Sequence, residues 1–305
     1  MQWRPLLLLA FLSVAISMPV MAEDALSPVN NEESKDKIQT YSLPDNIKLT
    51  SAVKIEYDKP RIVIKEVFPQ LTAETPNENV DEFNDLVAEI IENAVAEFKL
   101  EASNNQIISK NIPKSALKNN LYIDFSTSFL QSGKYPIISI RFNIQGDIIG
   151  QAHGFHKHVT LNFDLKNGEE LSLSDLFKEN SDYLKIIADY TNGVLSKAPA
   201  ANKELIDNGT KPTEDNFLRW NVKPNGLLFT FEEYQVAPYS SGAQTVLVPY
   251  AILNDVIDID SPINGCVTHK TRCLNSSLLT GGFIDEALNS IKSNRFLTWL
   301  SQSKS

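Results

Sequence analysis

The feature that most constrains the fold is a strict alternation of apolar and polar residues in the middle of the chain. Every second residue of 138–144 is apolar, and the same alternation runs through 121–126 and 159–165. Successive side chains of a strand point to opposite faces, so one face of the resulting sheet is buried and the other faces water. This predicts an α+β fold, in which helices pack on one face of an antiparallel β-sheet.

Helices are predicted where apolar residues recur at spacings of three and four. This spacing is clearest over 83–98, and it recurs over 183–194 and from Phe283 onward. Residues 198–215 hold two prolines and an Asn-Gly pair, which predicts an irregular connection. A hairpin is predicted over 220–231, where a Pro-Asn-Gly turn separates two apolar runs.

The N-terminus has the layout of a secretory signal peptide. Arg4 precedes an apolar run over 6–16, and Val20-Met21-Ala22 supplies small residues for cleavage after Ala22. An uncleaved anchor is the alternative, but the apolar run is shorter than the ~20 residues of a spanning helix. We therefore predict a signal peptide at 1–22, a flexible polar leader at 23–46, and a periplasmic or secreted chain without a transmembrane anchor.

The charge balance argues against nucleic acid as a partner. Cleavage removes Arg4 and no acidic residue, which takes the formal net charge from −10 to −11. Polyanionic partners are repelled by such a chain, whereas cationic partners are attracted. Ordinary solubility is the alternative explanation of the acidic balance.

Two cysteines, Cys266 and Cys273, lie close together in the sequence. In an oxidising compartment this spacing predicts a disulfide, which stabilises a short loop by roughly 2–3 kcal/mol. Two sulfurs without a second Cys/His pair do not complete a zinc site, and the spacing is not that of a redox Cys-x-x-Cys motif.

A segment with two Pro-Tyr pairs carries the most distinctive motif. Residues 234–250 read YQVAPYSSGAQTVLVPY, in which Pro238 and Pro249 suit bends and strand ends, and Gly242 suits a turn with positive φ. The segment resembles the signature of the RsiV-like extracellular domain family, a domain-of-unknown-function family whose best-understood member is a lysozyme-sensing anti-sigma factor. The matching positions are Tyr234, Val236, Ala237, Pro238, Tyr239, Gly242, Pro249 and Tyr250.

Other segments extend the resemblance. Residues 150–177 resemble the family's Ala-His turn, Asp-Leu-x-x-Gly hairpin and Leu-Ser-Asp-Leu-Phe segment. The resemblance implies an RsiV-like domain over 120–258, preceded at 47–119 by an α/β part similar to the N-terminal companion domain of PdaC-type deacetylases. The disulfide loop and a C-terminal helix would then occupy 259–305.

The resemblance and the turn together predict a partner-binding surface. Loops on a rigid sheet commonly carry recognition, and exposed tyrosines make good interface anchors. Glu233 stands where many family members have Pro, and Gln151 replaces a second Gly, so the surface departs from the family pattern here. The predicted partner-binding residues are His153, Tyr234, Tyr239, Ser240, Ser241 and Gly242. A purely structural corner is the alternative reading of this turn.

His153, His156 and His158 form a histidine cluster that could in principle bind zinc or copper. No acidic residue lies within the cluster, so we predict no metal site and no cofactor. The sequence contains no nucleophile-elbow, P-loop or dinucleotide motif, and no catalytic residue is predicted.

The predicted function is an exported binding module for a protein or glycan of the cell envelope, with a cationic lysozyme-like protein as the most concrete partner. The alternatives are a cell-wall polysaccharide enzyme or accessory factor, and a metal-binding periplasmic protein. An enzyme is disfavoured because catalytic motifs are missing.

Overall fold

A sheet of eight strands is the centre of the fold, in the order β1-β2-β3-β4-β5-β6-β7 with β11 also pairing with β4. The strands are β1 (Tyr41–Ser42), β2 (Lys48–Asp58), β3 (Ile62–Thr72), β4 (Asn119–Ser132), β5 (Tyr135–Asp147), β6 (Phe155–Asp164), β7 (Glu169–Glu170) and β11 (Cys273–Leu279). All pairs are antiparallel except β3 with β4. Strands β3 and β4 can pair in parallel because a long connection, which includes helix α1 (Glu78–Asn104), returns the chain to the end of the sheet at which β3 begins.

The computed structural model describes residues 40–58, 61–104, 118–132, 134–198, 201–268 and 273–279, all within the compact unit Ile38–Ser305. The predicted signal peptide and the helix predicted from Phe283 lie outside the described residues. Among the helices that are described, none is long and apolar enough to cross a membrane.

Helix α1 covers one face of the large sheet. Its apolar stripe includes the fully buried Phe83, whose ring meets Phe163 of β6 edge to face at 5.4 Å. Apolar side chains of β3 to β6 complete this first core. The predicted helix over 83–98 is therefore confirmed as part of α1, and its apolar stripe faces the sheet as predicted.

A second, three-stranded sheet has the order β10-β9-β8, and it forms a separate core with four short helices. Its strands are β8 (Trp220–Lys223), β9 (Gly226–Phe231) and β10 (Gln244–Pro249). The helices are α2 (Tyr183–Leu195), α3 (Lys203–Gly209), α4 (Tyr250–Leu253) and α5 (Asn264–Thr268). The predicted hairpin over 220–231 and the helix over 183–194 are confirmed.

Strand β8 lies across the polar face of the large sheet, and buried hydrogen bonds join the two layers. The Ser139 hydroxyl donates to Asn162 Oδ1 at 2.7 Å and accepts from Asn221 Nδ2 at 2.9 Å. Asn162 Nδ2 donates to the Trp220 carbonyl at 2.9 Å. The alternation predicted that this polar face is in contact with water. Strand β8 instead covers part of it, and the buried polar groups of the two layers hydrogen-bond to one another.

The α+β class is confirmed, and the structure also corrects details. Residues 198–215 contain α3 rather than an irregular connection alone, because the Asn202 side chain caps Leu205 N at 3.1 Å. Within the predicted leader, Leu43 is buried in the first core beside β1, so ordered structure begins before Ile47. The division into domains at 119/120 and 258/259 stays a prediction.

Candidate functional site

The predicted partner-binding turn is the loop between β9 and β10. It begins with a tight turn in which Tyr234 N donates to the Ala237 carbonyl at 3.0 Å. A short 3-10 helix over Tyr239–Ser241 follows, and Gly242 leaves it with φ of +63°, as the sequence predicts. Ser240 and Ser241 are exposed on this short helix. The loop thus presents its polar tip to solvent.

Three aromatic side chains form what we call the ring stack, which consists of His153, Tyr239 and Tyr234. The His153 and Tyr239 ring centroids are 4.0 Å apart, and those of Tyr239 and Tyr234 are 5.8 Å apart. His153 comes from the β5–β6 connection and the two tyrosines from the β9–β10 loop. Tyr239 is also fixed by a hydrogen bond from its hydroxyl to the Gly154 carbonyl at 2.9 Å. The structure therefore brings the three predicted aromatic residues together.

Tyr234 combines two unusual properties. Its φ is +66°, in the left-handed region, and the residue is 59 % exposed. For an L-residue other than Gly, Asn or Asp this conformation costs roughly 1–2 kcal/mol. An aromatic pair such as Tyr234–Tyr239 contributes about 0.5–1.5 kcal/mol. The ring contact therefore does no more than offset the cost of the left-handed conformation. The stability of the fold gives no reason for a tyrosine at position 234.

Two histidine–glutamate pairs attach the loop to β6. His156 Nδ1 lies 3.0 Å from Glu233, and His158 Nδ1 lies 3.0 Å from Glu232. Glu232 also accepts a hydrogen bond from the His158 backbone N at 2.7 Å, and its carboxylate is 2.8 Å from Arg219 Nε. A carboxylate can only accept, so in each pair the imidazole Nδ1 carries the hydrogen.

These pairs bear on the predictions for the histidine cluster. Each of His156 and His158 uses one ring nitrogen on a glutamate, whereas His153 belongs to the ring stack. In the described part of the chain, no group of three or more His, Cys, Asp or Glu residues could hold a metal ion. The expectation of no tight metal site stays a prediction.

Glu232 and Arg219 are the residues of this site that sequence reasoning missed. The available signal was the Glu232-Glu233 pair directly after an aromatic strand, together with alternate histidines on β6. Opposite charges on two separate strands predict contact only when the strands are known to be neighbours. Glu233, noted as a departure from the family pattern, holds His156 in place.

The carboxyl of Glu232 makes fold stability pH-dependent. Burial pushes its pKa upward, but hydrogen bonds from His158 and the positive charge of Arg219 outweigh burial and hold the pKa below the ordinary value of 4.5. A depressed pKa means that stabilisation is present above the unfolded-state pKa and is lost as pH falls through the folded-state value.

We therefore expect Glu232→Gln to lower the free energy of unfolding at pH 7 by about 1.5–3 kcal/mol, because charge-assisted hydrogen bonds are lost. The difference from wild type should begin to shrink near pH 4.5, the unfolded-state value, and should vanish as pH falls through the lower folded-state pKa, where wild-type Glu232 itself becomes protonated. Urea unfolding at a series of pH values measures it. Glu97→Gln, which breaks the exposed pair with Lys157, is the control and should cost less than about 1 kcal/mol. A pH-independent difference would contradict the assignment.

The second Pro-Tyr pair has a different role from the first. Tyr250 is buried in the second core, and its hydroxyl donates to the Lys223 carbonyl at 2.7 Å. Burial raises the pKa of this hydroxyl well above its ordinary value. Pro249-Tyr250 thus closes the corner between β10 and β8, whereas Pro238-Tyr239 lies in the exposed loop.

The predicted disulfide falls at the edge of the described structure. Cys266 lies in α5 and is buried in the second core, and Cys273 begins β11. Within the part of the chain that the structure describes, no cysteine is free. The Cys266–Cys273 pairing itself stays a prediction, because the side chains of β11 lie outside the described residues.

One solved structure shares this fold, and a second is similar to a lesser degree. The chain is 20 % identical to a solved DUF3298-family member from Bacteroides fragilis, with a TM-score of 0.51 over 73 % of this chain and 97 % of the other. A DUF3298-family structure from Pseudomonas aeruginosa is 16 % identical, with a TM-score of 0.41 over 71 % of this chain and 96 % of the other.

A curated relative is similar over a shorter stretch. The peptidoglycan-N-acetylmuramic acid deacetylase PdaC of Bacillus subtilis is 35 % identical over 123 residues, which is 39 % of this chain. The match spans about a quarter (26 %) of that relative's length. Residues 174–251 match the family model "Protein of unknown function (DUF3298)", a range that includes the β9–β10 loop. The chain therefore contains a DUF3298 domain similar to part of PdaC.

Proposed function

We propose that this protein is an exported binding module that recognises a partner in the bacterial envelope through the ring stack and the adjacent turn. The observation that carries the proposal is a set of three aromatic rings, two of them exposed, at a loop that a hydroxyl hydrogen bond and two histidine–glutamate pairs attach to the large sheet. Rigid, exposed tyrosines bind with little loss of side-chain entropy. Export after cleavage at Ala22, a Cys266–Cys273 disulfide and the absence of chemistry by the domain itself belong to the same proposal.

Two classes of partner fit this role. The resemblance to the RsiV-like family and the net charge of the mature chain favour a cationic lysozyme-like protein. The similarity to PdaC, whose name describes action on peptidoglycan, favours a cell-wall glycan. That similarity also favours a second candidate function, an accessory factor for a cell-wall enzyme, which would use the same surface to bind glycan.

The test is a double substitution, Ser240→Arg with Ser241→Arg, which places two bulky cations on the turn without removing a packed ring. We expect binding to lysozyme or to purified peptidoglycan to fall at least about tenfold, because a central interface position is blocked. Titration calorimetry with lysozyme and co-sedimentation with peptidoglycan measure the two cases. Circular dichroism establishes that the variant is folded.

A matched control separates local blocking from the change in net charge. Ser103→Arg with Ser196→Arg adds the same charge at exposed positions on α1 and after α2, and this variant should bind like wild type. Lysozyme binding should weaken as salt rises, because attraction to an acidic chain is screened. Failure of the wild type to bind either partner would overturn the proposal, and unaltered binding by the folded loop variant would move the site elsewhere.

A further inference from the structure

We propose that Tyr234 is the ligand-contacting residue of this surface and that the ligand stacked on it is a saccharide ring. This inference rests on the proposed function and goes further, because it assigns the contact to one residue and the ligand to one chemical class.

The first step is the conformation of Tyr234. An exposed residue held at φ of +66° is one that Asn or Gly would replace with less strain. Strained residues that the surrounding structure over-determines concentrate at ligand-binding sites. Several hydrogen bonds hold the turn around Tyr234 in place. The Tyr234 N–H donates to the Ala237 carbonyl, and Gln235 Nε2 donates to the carbonyls of Gly209 and Asn216 at 3.2 and 3.0 Å.

The second step is the arrangement of the rings. Tyr239 lies between His153 and Tyr234, with ring planes tilted by 32° and 30°. The stack therefore continues outward from Tyr239 to Tyr234, whose ring is the more exposed of the two tyrosines. A pyranose ring has a face of C–H groups, which the negative face of an aromatic ring attracts. A sugar stacked on Tyr234 would extend the stack by one layer.

The third step is the polar surrounding of the rings. The pKa of the Tyr239 hydroxyl is raised by desolvation and by the nearby carboxylates of Glu233 and Asp147. The exposed Ser240 and Ser241 lie in the same loop. Carboxylates accept hydrogen bonds from sugar hydroxyls, and serine hydroxyls can both donate and accept. Glu233 already accepts from His156, so the exposed Asp147, Ser240 and Ser241 are the polar groups near the rings that a sugar's hydroxyls can reach.

A protein partner fits these observations less well. The core of a protein–protein interface is a contiguous, largely apolar area. The large exposed apolar side chains in the described residues are Tyr57, Leu100, Val194, Leu218, Tyr234, Ile252 and Ile259, and of these Tyr234 alone belongs to the β9–β10 loop. Tyr234 is thus the most exposed ring of this polar loop, and it is a platform of the size of one sugar.

The test compares Tyr234→Asn with Tyr57→Asn. Asn tolerates the left-handed conformation, so Tyr234→Asn should fold with a Tm within about 3 °C of wild type. Tyr57 is 54 % exposed on β2, which is four strands from β6 at about 4.8 Å per strand. It is therefore the matched loss of an exposed tyrosine outside the site. The probe is a β-1,4-linked tetramer of N-acetylglucosamine, measured by titration calorimetry at low and high salt.

We expect the wild type and Tyr57→Asn to bind the tetramer with affinities that change little with salt, because the sugar is neutral. Tyr234→Asn should bind at least about tenfold more weakly. Failure of the wild type to bind the tetramer, or equal binding by Tyr234→Asn, would overturn this inference. Lysozyme binding that Ser240→Arg with Ser241→Arg abolishes and Tyr234→Asn leaves intact would also overturn it while supporting the proposed function.

Discussion

Phe83→Ala is expected to lower the free energy of unfolding by about 3–5 kcal/mol, which is the usual cost of truncating a fully buried phenylalanine. Phe83 has no exposed surface and joins α1 to β6 through the edge-to-face contact with Phe163. Its removal would leave a cavity between helix and sheet, at the point where the first core is built from distant parts of the chain. Urea unfolding followed by circular dichroism measures the loss.

Leu100→Ala is the matched control for this experiment. Leu100 lies on the same helix but is 64 % exposed, so its truncation should cost less than about 0.5 kcal/mol. A loss below about 1 kcal/mol for Phe83→Ala would mean that α1 does not pack on the sheet as described.

Asn162→Asp should have an effect of comparable size for an electrostatic reason. Asn162 is 2 % exposed, and its Nδ2 donates to the Trp220 carbonyl between the two sheets. An aspartate has the same shape, but when ionised it sets a second acceptor against that carbonyl and buries an uncompensated charge. We expect a loss of about 3–5 kcal/mol at pH 7.

The pH dependence identifies the cause. Burial raises the folded-state pKa of the new carboxyl above its unfolded value of about 3.9. The penalty is therefore complete above the folded-state pKa, and it disappears as pH falls towards about 4, where the protonated carboxyl can donate to Trp220. Unfolding free energies of variant and wild type at pH 7 and pH 4 measure this. Asn225→Asp, at an exposed turn, should show little effect at either pH. An equal loss at both pH values would point to altered geometry instead of charge.

Local sequence patterns predicted the elements well and their partners poorly. The alternation over 138–144 and the apolar stripe of 83–98 each reflect which side of one element faces the core, and the strand and the helix that they predicted are confirmed. The parallel pairing of β3 with β4 and the pairing of β11 with β4 depend on residues far apart in sequence. No local period encodes such pairings, so the sequence alone did not predict them.

The polar face of the large sheet shows a second limit. Ser139 and Asn162 alternate with apolar residues, as they would on a face in contact with water. They are instead buried by β8, whose Asn221 supplies a matching partner. Polar residues that satisfy one another in the interior have the same pattern as solvated ones, so alternation cannot separate the two cases.

In the candidate site, too, local features could be predicted from the sequence and tertiary contacts could not. The Tyr234–Gly242 turn was predicted from Pro, Gly and Tyr, whose conformational preferences are local. The contact between His153 and Tyr239, and the pairs formed by Glu232 and Glu233, join two separate sheets. They required the tertiary arrangement, and whether the predicted residues bind a partner stays a prediction.

The hydrogen bonds among Ser139, Asn162 and Asn221, which join the two sheets, also limit how far the rings of the ring stack can move relative to one another. Apolar layers can slide past each other by small steps at little cost, but directional bonds among Ser139, Asn162 and Asn221 are satisfied in one alignment only. Because the large sheet carries His153 and the small sheet carries Tyr234, any slippage between layers would change the spacing of the rings. We expect substitutions among these buried residues to alter the ligand selectivity of the proposed site without touching the ligand.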